Sequence, residues 1–530
     1  MEKFSTLKDV DVKNKMVFVR ASFDVPLDSS KSLLNPKRVR DDSRIRDAVP
    51  TLSYLIKNHA KIILEGGWLG RPKGEDSELS MAPVALRLQE ILKEEGLLKH
   101  PVLLTPNCLD GSNPRSVYKN KEEVRKNVSK LREGQIILLE NVRYDPEANA
   151  NDKKFAEFIA SLVGNNAVYV NEAEAQNHRP EATITSVPIL ILKNGGKAVF
   201  GFKVSEVVKY LGSISNLLDK KGRGSFIFFL SGKKIETQIG ITSKITVTYA
   251  LLDKMKGGDI IFVEGAVTYT FLIAEEYLDI IEGKLDGLQE IIAIYNKRIE
   301  EETNKIKKEN KDALIALRTQ ESLQKEKSDK LRDVMEITDN KIKYLIGDSF
   351  VEWKEIGEQI VFAAQVYLKA KSKKVAVITN IDHTITNKSP DKFGNLPKDA
   401  ELKAFNSAVG IPEGWLGVAP GTRSLDIICK NVKSAYMMIL AGPLCIEEPR
   451  VEEFSKTNKR LLGAISESKA KGAITIAAGG DTAAMVRAYD GEDAFTIISN
   501  AGGATLELIE KGKKLPGIKA LEESYKRFRE

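Results

Sequence analysis

Apolar positions along the chain recur in two alternating rhythms. Short, nearly unbroken runs such as "KMVFVRASF", "AKIILEGG", "QIILLENVRY" and "NAVYVNEAE" have the length and branched-residue content of buried strands. Between them, "AVPTLSYLIKN" and "APVALRLQEILKEEG" place apolar residues three and four apart, the spacing of a helix with one buried face. A second set follows, with strands predicted at "SFIFFLSGKK", "DIIFVEGAV", "KKVAVITNID", "AYMMILAGP" and "AITIAAGGD". Such alternation builds a parallel sheet wrapped by helices, and two sets of similar size imply two α/β layers. The helical stretch "VSEVVKYLGSISNLL" connects them. Open sheets of this kind take ligands at the carboxyl ends of their strands, so the turns after strands are where chemistry is sought.

Composition narrows the class. At 530 residues and 42% hydrophobic, the chain can bury more than one core. No run approaches the eighteen or so apolar residues that span a bilayer, and no leader pattern is seen. Cys108, Cys429 and Cys445 are too few and scattered for a disulfide framework, which points to a reducing compartment and a cytoplasmic location. The net charge of +7 is small for this length and its signs are mixed. That argues against nucleic acid and for either a site for small anions or plain solvated surface.

The turn in "GAITIAAGGDTAAMV" changes the picture. An apolar run stops at Gly479 and Gly480, and a helical pattern opens at Asp481 and Thr482. Bare N–H groups at such a helix start favour an anion, and Asp481 is placed to hold a metal ion beside a phosphate. Any strand-to-helix connection also favours Gly and Asp, so the turn alone leaves both readings open.

Several longer strings decide between them. "VFVRASFDVP", "DDSRIRDAVPTLSYL", "LGRPKG", "LLENVRYDPEANANDKKFAEFIASL", "VYVNEAEAQNHR", "GIPEGWLG", "AITIAAGGDTAAMV" and "ISNAGGATLELIEKGKKLPGIKAL" resemble phosphoglycerate kinase, in order from about Val17 to Leu521. The fold class this implies is α/β: two Rossmann-like three-layer domains with parallel sheets joined by a hinge helix, plus an inserted helical hairpin. The domains expected are 1–200, binding the phosphoglycerate, with 506–530 returning to it, and 201–505, binding ATP or ADP with Mg2+.

The resemblance also implies roles. Arg44, Arg71, Arg143 and Arg179 match substrate-binding arginines, whose planar forks suit phosphate and carboxylate, and Arg44 matches the one that also steadies the phosphoryl group in flight. Lys234 matches a lysine on the nucleotide phosphates and Glu448 the acid that holds the ribose. Gly479, Gly480, Asp481 and Thr482 match the turn that receives the phosphates, with Asp481 on the metal.

Departures from the pattern are equally specific. Asp24 stands where the family has a substrate-facing Asn, and Ser22 where it has Asp; Trp68 replaces a His and Glu181 another. In the second half Gln238 replaces a lysine, Glu264 a glycine and Ala441 an asparagine. These changes lead to the expectation of impaired or lost phosphoryl transfer in a structural scaffold component, the alternative being an active phosphoglycerate kinase.

One interruption breaks the match, at 278–343. This charged stretch holds Leu285, Leu288, Ile292, Tyr295, Ile299 and Ile306 at coiled-coil spacing, with Leu314, Leu317, Leu331 and Met335 on a weaker stripe. A helical hairpin turning near "KKENKDA" is expected to project from the C-terminal domain and to meet a protein partner in a larger, cytoskeletal or other, assembly.

Overall fold

The computed structural model describes residues 5–32, 34–106, 115–212, 214–232, 244–308, 313–391, 395–406, 409–445 and 451–527. The chain divides into two compact units, Met1–Ile214 with Glu507–Glu530, and Ser215–Leu506. The division falls about a dozen residues beyond the position expected from the sequence, just after the helix Phe202–Leu211.

In the first unit the apolar runs become six strands: β1 (Met16–Arg20), β2 (Lys61–Glu65), β3 (Leu103–Thr105), β4 (Ile136–Leu139), β5 (Val168–Asn171) and β6 (Lys197–Phe200). They form one parallel sheet in the order β3-β4-β2-β1-β5-β6. Both faces are covered by helices, which is why the central strands are apolar throughout rather than alternating. Val17 of β1 lies level with Ile62 and Val168, and all three are buried. The C-terminal helix Pro516–Arg527 packs against the helix Ala182–Lys193 and β6. The approach is close: a Cβ on Gly517 would meet Asn177 Oδ1 at 2.3 Å.

The second unit repeats the plan with β7 (Phe226–Leu230), β8 (Ile260–Val263), β9 (Ala376–Ile378), β13 (Met437–Ala441), β14 (Ile474–Ala478) and β15 (Ile497–Ser499). Their order is β15-β14-β13-β7-β8-β9, again all parallel. Three further strands, β10 (Asp382–Thr386), β11 (Leu402–Asn406) and β12 (Leu416–Pro420), form a separate antiparallel sheet. The sequence reading did not anticipate it, because "DHTIT" and "LKAFN" carry too few apolar residues to stand out.

The interruption is a helical hairpin. Its helices, Leu278–Lys308 and Ala313–Met335, lie side by side, the first roughly 46 Å long at 1.5 Å per residue. Leu288, Ile292, Ile299, Ile306, Leu331 and Met335 are buried along the predicted stripe, while Leu285 and Tyr295 are half-buried. Leu317, expected on that stripe, is exposed together with Ile294 and Ile315. The turn and the Leu314 side chain lie outside the described residues.

The hairpin does not simply stand away from its unit. The second hairpin helix packs on the helix Ile356–Lys373, where Gly357 N–H donates to Ser328 Oγ at 3.0 Å. A Cβ on Gly357 would meet the Ser328 carbonyl oxygen at 2.3 Å. Beside this contact the buried Lys327 pairs with Glu358 at 2.7 Å and donates to Asn296 Oδ1 at 2.8 Å.

Candidate functional site

At the carboxyl ends of the first sheet, side chains supply the chemistry. β1 ends on Arg20, an arginine inside an otherwise apolar core. Its Nη2 donates to Glu181 at 2.8 Å, its Nε to Thr183 Oγ1 at 3.0 Å, and its Nη1 to Gln176 Oε1 at 2.9 Å; Glu65 lies 3.1 Å from Nε. One cation here faces two buried carboxylates. Burial therefore pushes the Glu65 carboxyl up to about 7 despite the attraction of Arg20, and raises Glu181 as well.

Glu181, which replaces a histidine of the family pattern, turns its carboxylate onto Arg20. Ser22 is drawn into the same network, donating to Gln176 Oε1 at 3.0 Å. Gly67 closes over it with φ +77, and a Cβ there would meet Arg20 Nη1 at 2.4 Å.

The loop after Gly67 carries Trp68, Gly70 and Arg71. Gly70 is held on both sides: its N–H donates to Asp24 Oδ1 at 3.1 Å, and its carbonyl accepts from Arg143 Nη1 at 2.6 Å. Arg143 in turn follows Asn141, whose side chain donates to the carbonyls of Leu69 and Leu79. The Arg143 and Arg179 guanidinium groups both lie over the Trp68 ring, 4.2 and 4.4 Å from its centre, and the indole beneath them is 7% exposed.

Arg71 and Arg179 are exposed at the same place. Partial burial and the charges of Arg179 and Arg71 pull the Arg143 pKa below its usual value, against the opposing pull of Asp24 and Glu181. Arg44 donates to the Asp24 carbonyl and has its carboxylate 4.0 Å away. All four predicted arginines and Asp24 thus lie in one unit, with Arg71, Arg143 and Arg179 within electrostatic reach of one another. Asp24 is partly engaged by Gly70 and Arg44 rather than free.

At the carboxyl ends of the second sheet the backbone dominates. Glycines with positive φ follow four of its strands: Gly232 after β7, Gly265 after β8, Gly442 after β13 and Gly479 after β14. At Gly265 a Cβ would meet Gly232 N at 2.8 Å, and at Gly442 the Ser231 carbonyl at 2.3 Å, so only glycine lets these turns nest. Around Gly479, Gly480, Gly502 and Gly503, by contrast, added Cβ atoms would meet nothing closer than 3.8 Å. The helix Gly480–Ala488 opens here, with Asp481 exposed in its first turn and Thr482 buried, donating to Ala478 O at 3.0 Å.

That donor set fits magnesium as it is commonly held, by one carboxylate with the remaining ligands from phosphates and water. Among the described residues no group of three or more His, Cys, Asp or Glu side chains could hold a metal by itself. Lys234, Gln238 and Glu448 lie outside the described residues. Ala441 is buried as the last residue of β13.

Glu264, which replaces a glycine of the family pattern, is 1% exposed, and burial pushes its carboxyl up to about 8, with a hydrogen bond to Asn380 offsetting part of the rise. At neutral pH it is an uncharged acid within the protein.

Sequence reasoning missed Arg20, Glu65, Gln176 and Thr183. The one available signal was an arginine closing the apolar strand "MVFVR". A core arginine requires buried acids, and these lie far along the chain.

The comparisons agree with this picture. The family model described as phosphoglycerate kinase matches residues 7–348 and 334–513. The cytosolic phosphoglycerate kinase of Triticum aestivum is 30% identical over 520 residues, covering 98% of both chains. The phosphoglycerate kinase of Thermosipho africanus is 28% identical over 522 residues, also with 98% of each chain covered. Two solved phosphoglycerate kinases share the fold. That of Coxiella burnetii has a TM-score of 0.64 at 23% identity, covering 98% of this chain and 99% of its own. That of Pyrococcus horikoshii has a TM-score of 0.66 at 17% identity, covering 99% and 100%.

Proposed function

Because the chain belongs to the phosphoglycerate kinase family, we propose that it transfers a phosphoryl group between 1,3-bisphosphoglycerate and ADP. The observation that carries this reading is the gathering of Arg143 and Arg179 on the Trp68 ring with Arg71 in electrostatic reach; partial burial, and then the charges of Arg179 and Arg71, pull the Arg143 pKa down. Like charges held this close are costly until an anion shares them. A phosphorylated carboxylic acid supplies both a phosphate and a carboxylate for such forks. In this reading Arg71, Arg143 and Arg179 bind the acid, and Arg44 meets the transferring group.

The Gly479–Gly480 turn, Thr482 and Asp481 would receive the nucleotide phosphates, and the family resemblance assigns Lys234 to those phosphates and Glu448 to the ribose. Asp481 would hold Mg2+, whose charge would offset that of the phosphates. Two of the substitutions that pointed to impairment lose part of their force: Glu181 is paired with Arg20, and Glu264 favours its protonated form near pH 7.

A coupled assay of ATP formation from 1,3-bisphosphoglycerate and Mg-ADP tests the proposal. Turnover of about one per second or faster, within the ordinary enzyme range, is the expected result; absence of ATP formation above the uncatalysed rate would overturn it. A second reading, impaired transfer in a scaffold protein, draws on Trp68 in place of a hydrogen-bonding side chain and on the exposed Ile294, Ile315 and Leu317 of the hairpin. It requires instead that the hairpin bind a protein partner and that turnover stay negligible.

A further inference from the structure

Trp68 is an aromatic side chain in the middle of a cation cluster. Two guanidinium groups rest over its ring at 4.2 and 4.4 Å, and the residue is almost completely buried. Its backbone position is fixed as well. Gly67 presses on the Arg20 network on one side, and Leu69 is tied to Asn141 on the other, the Leu69 N–H donating to Asn141 Oδ1 at 3.4 Å. The indole is therefore anchored to the fold, and the two guanidinium groups pack against it.

A guanidinium stacked on a ring keeps its in-plane N–H donors free, whereas one pulled into an ordinary ion pair spends them. Arg143 spends one donor, from Nη1, on the Gly70 carbonyl. The electron-rich ring face also attracts both cations and so opposes their mutual repulsion, holding together two groups that would otherwise splay apart.

We propose that Trp68 is a positioning residue that pre-organises Arg143 and Arg179 as a paired receptor for one anionic end of the substrate. This deepens the reading of the cluster as the acid-binding site and rests on it. The role differs from hydrogen bonding by a polar side chain at this position. Trp68 touches the ligand's recognition through the arginines, and its contribution is their geometry and spacing. The ligand class is unchanged, a phosphorylated carboxylic acid, but affinity for its anionic end depends on an aromatic surface that never contacts the reacting atoms.

The test compares Trp68→Phe, which keeps a ring face, with Trp68→Leu, which keeps apolar bulk without one. Binding of 3-phosphoglycerate and of inorganic phosphate is measured by calorimetry on the full chain, alongside KM and kcat. Thermal melts establish that each variant is folded. Loss of two exposed cation–π contacts predicts that Trp68→Leu weakens 3-phosphoglycerate binding about tenfold, with Trp68→Phe within about threefold of the parent. The KM for the acid follows, while the KM for Mg-nucleotide stays put.

A spectroscopic reading is independent of turnover. The chain has three tryptophans; with Trp353→Phe and Trp415→Phe, Trp68 emits alone, and 3-phosphoglycerate is expected to change its fluorescence saturably. Equal affinity in Trp68→Leu and the parent overturns the proposal, as does failure of the parent to bind either anion. Binding with the expected variant pattern but without ATP formation would sink the proposed function and leave this inference standing. ATP formation with an unaffected Trp68→Leu would do the reverse.

Discussion

The two units solve anion binding in opposite ways. In the first, the candidate site is made of side chains: four arginines, an aspartate and an indole, of which Arg44, Arg143, Arg179, Asp24 and Trp68 contact another side chain or a backbone group. In the second it is made of backbone, with glycine turns at the strand ends and a helix opening at Gly480. The difference sets what a substitution can do. A side-chain site can be rewired one residue at a time, since Trp68 or Asp24 alters contacts without altering the path of the chain. A backbone site is tied to the turn geometry itself, so a change at Gly479 moves the chain as well as its contacts.

That contrast can be broken by experiment. Arg44→Ala should have the largest effect, lowering kcat by about a hundred- to a thousandfold as one cation leaves the transferring group, with melting temperature little changed. A kcat within threefold of the parent would show that the first unit's site is not the reacting one. Gly479→Ala attacks the backbone site. At φ +111 an alanine is strained, so we expect about 1–3 kcal/mol of lost stability in denaturant melts together with weaker Mg-ADP binding. Full stability and unchanged nucleotide affinity would mean the turn tolerates a side chain and the contrast fails. Asp481→Ala should raise the KM for Mg-ADP about tenfold while leaving that for the acid unchanged, since it removes one metal ligand and no backbone contact.

A last test leaves the ligand sites and concerns a buried acid. The Glu264 carboxyl is raised to about 8 in the folded protein, against about 4.5 when exposed. As pH climbs from 4.5 to 8 the unfolded chain ionises while the folded one stays protonated, so this group's contribution to stability falls through that window and levels off above it. Glu264→Gln should therefore gain stability relative to the parent with rising pH, on the order of 4 kcal/mol by pH 8, and gain nothing near pH 4. A pH-independent difference would place the titration elsewhere.

How much of this was legible in the sequence follows the same division. The apolar runs announced both parallel sheets, because buried parallel strands need no alternation and stand out as blocks. The arginine strings and the glycine turn were legible too, since each sits in a continuous stretch of chain. The antiparallel sheet β10–β12 was not, being made of short, half-polar strands. Nor was the fate of Glu181, whose partner Arg20 lies 161 residues earlier, or of Glu264, whose charge depends on burial that no local pattern reveals. Sequence gives the identity of a titratable group; the fold decides its charge.

The contact between Gly357 and Ser328 bears on the history of the hairpin. An insertion into a surface connection starts as a detachable appendage, costing little to add and little to remove. Here the host helix has come to lack a Cβ where the insert's backbone passes, and its Glu358 relies on Lys327 for its countercharge. Losing Lys327 alone would deprive the buried Glu358 carboxylate of that countercharge, a loss that for such pairs runs to about 3–5 kcal/mol, and excising the hairpin would uncover the surface at Gly357 as well. Host and insert have become mutually dependent, so the hairpin can no longer be shed in a single step without further changes to repair the surface beneath it.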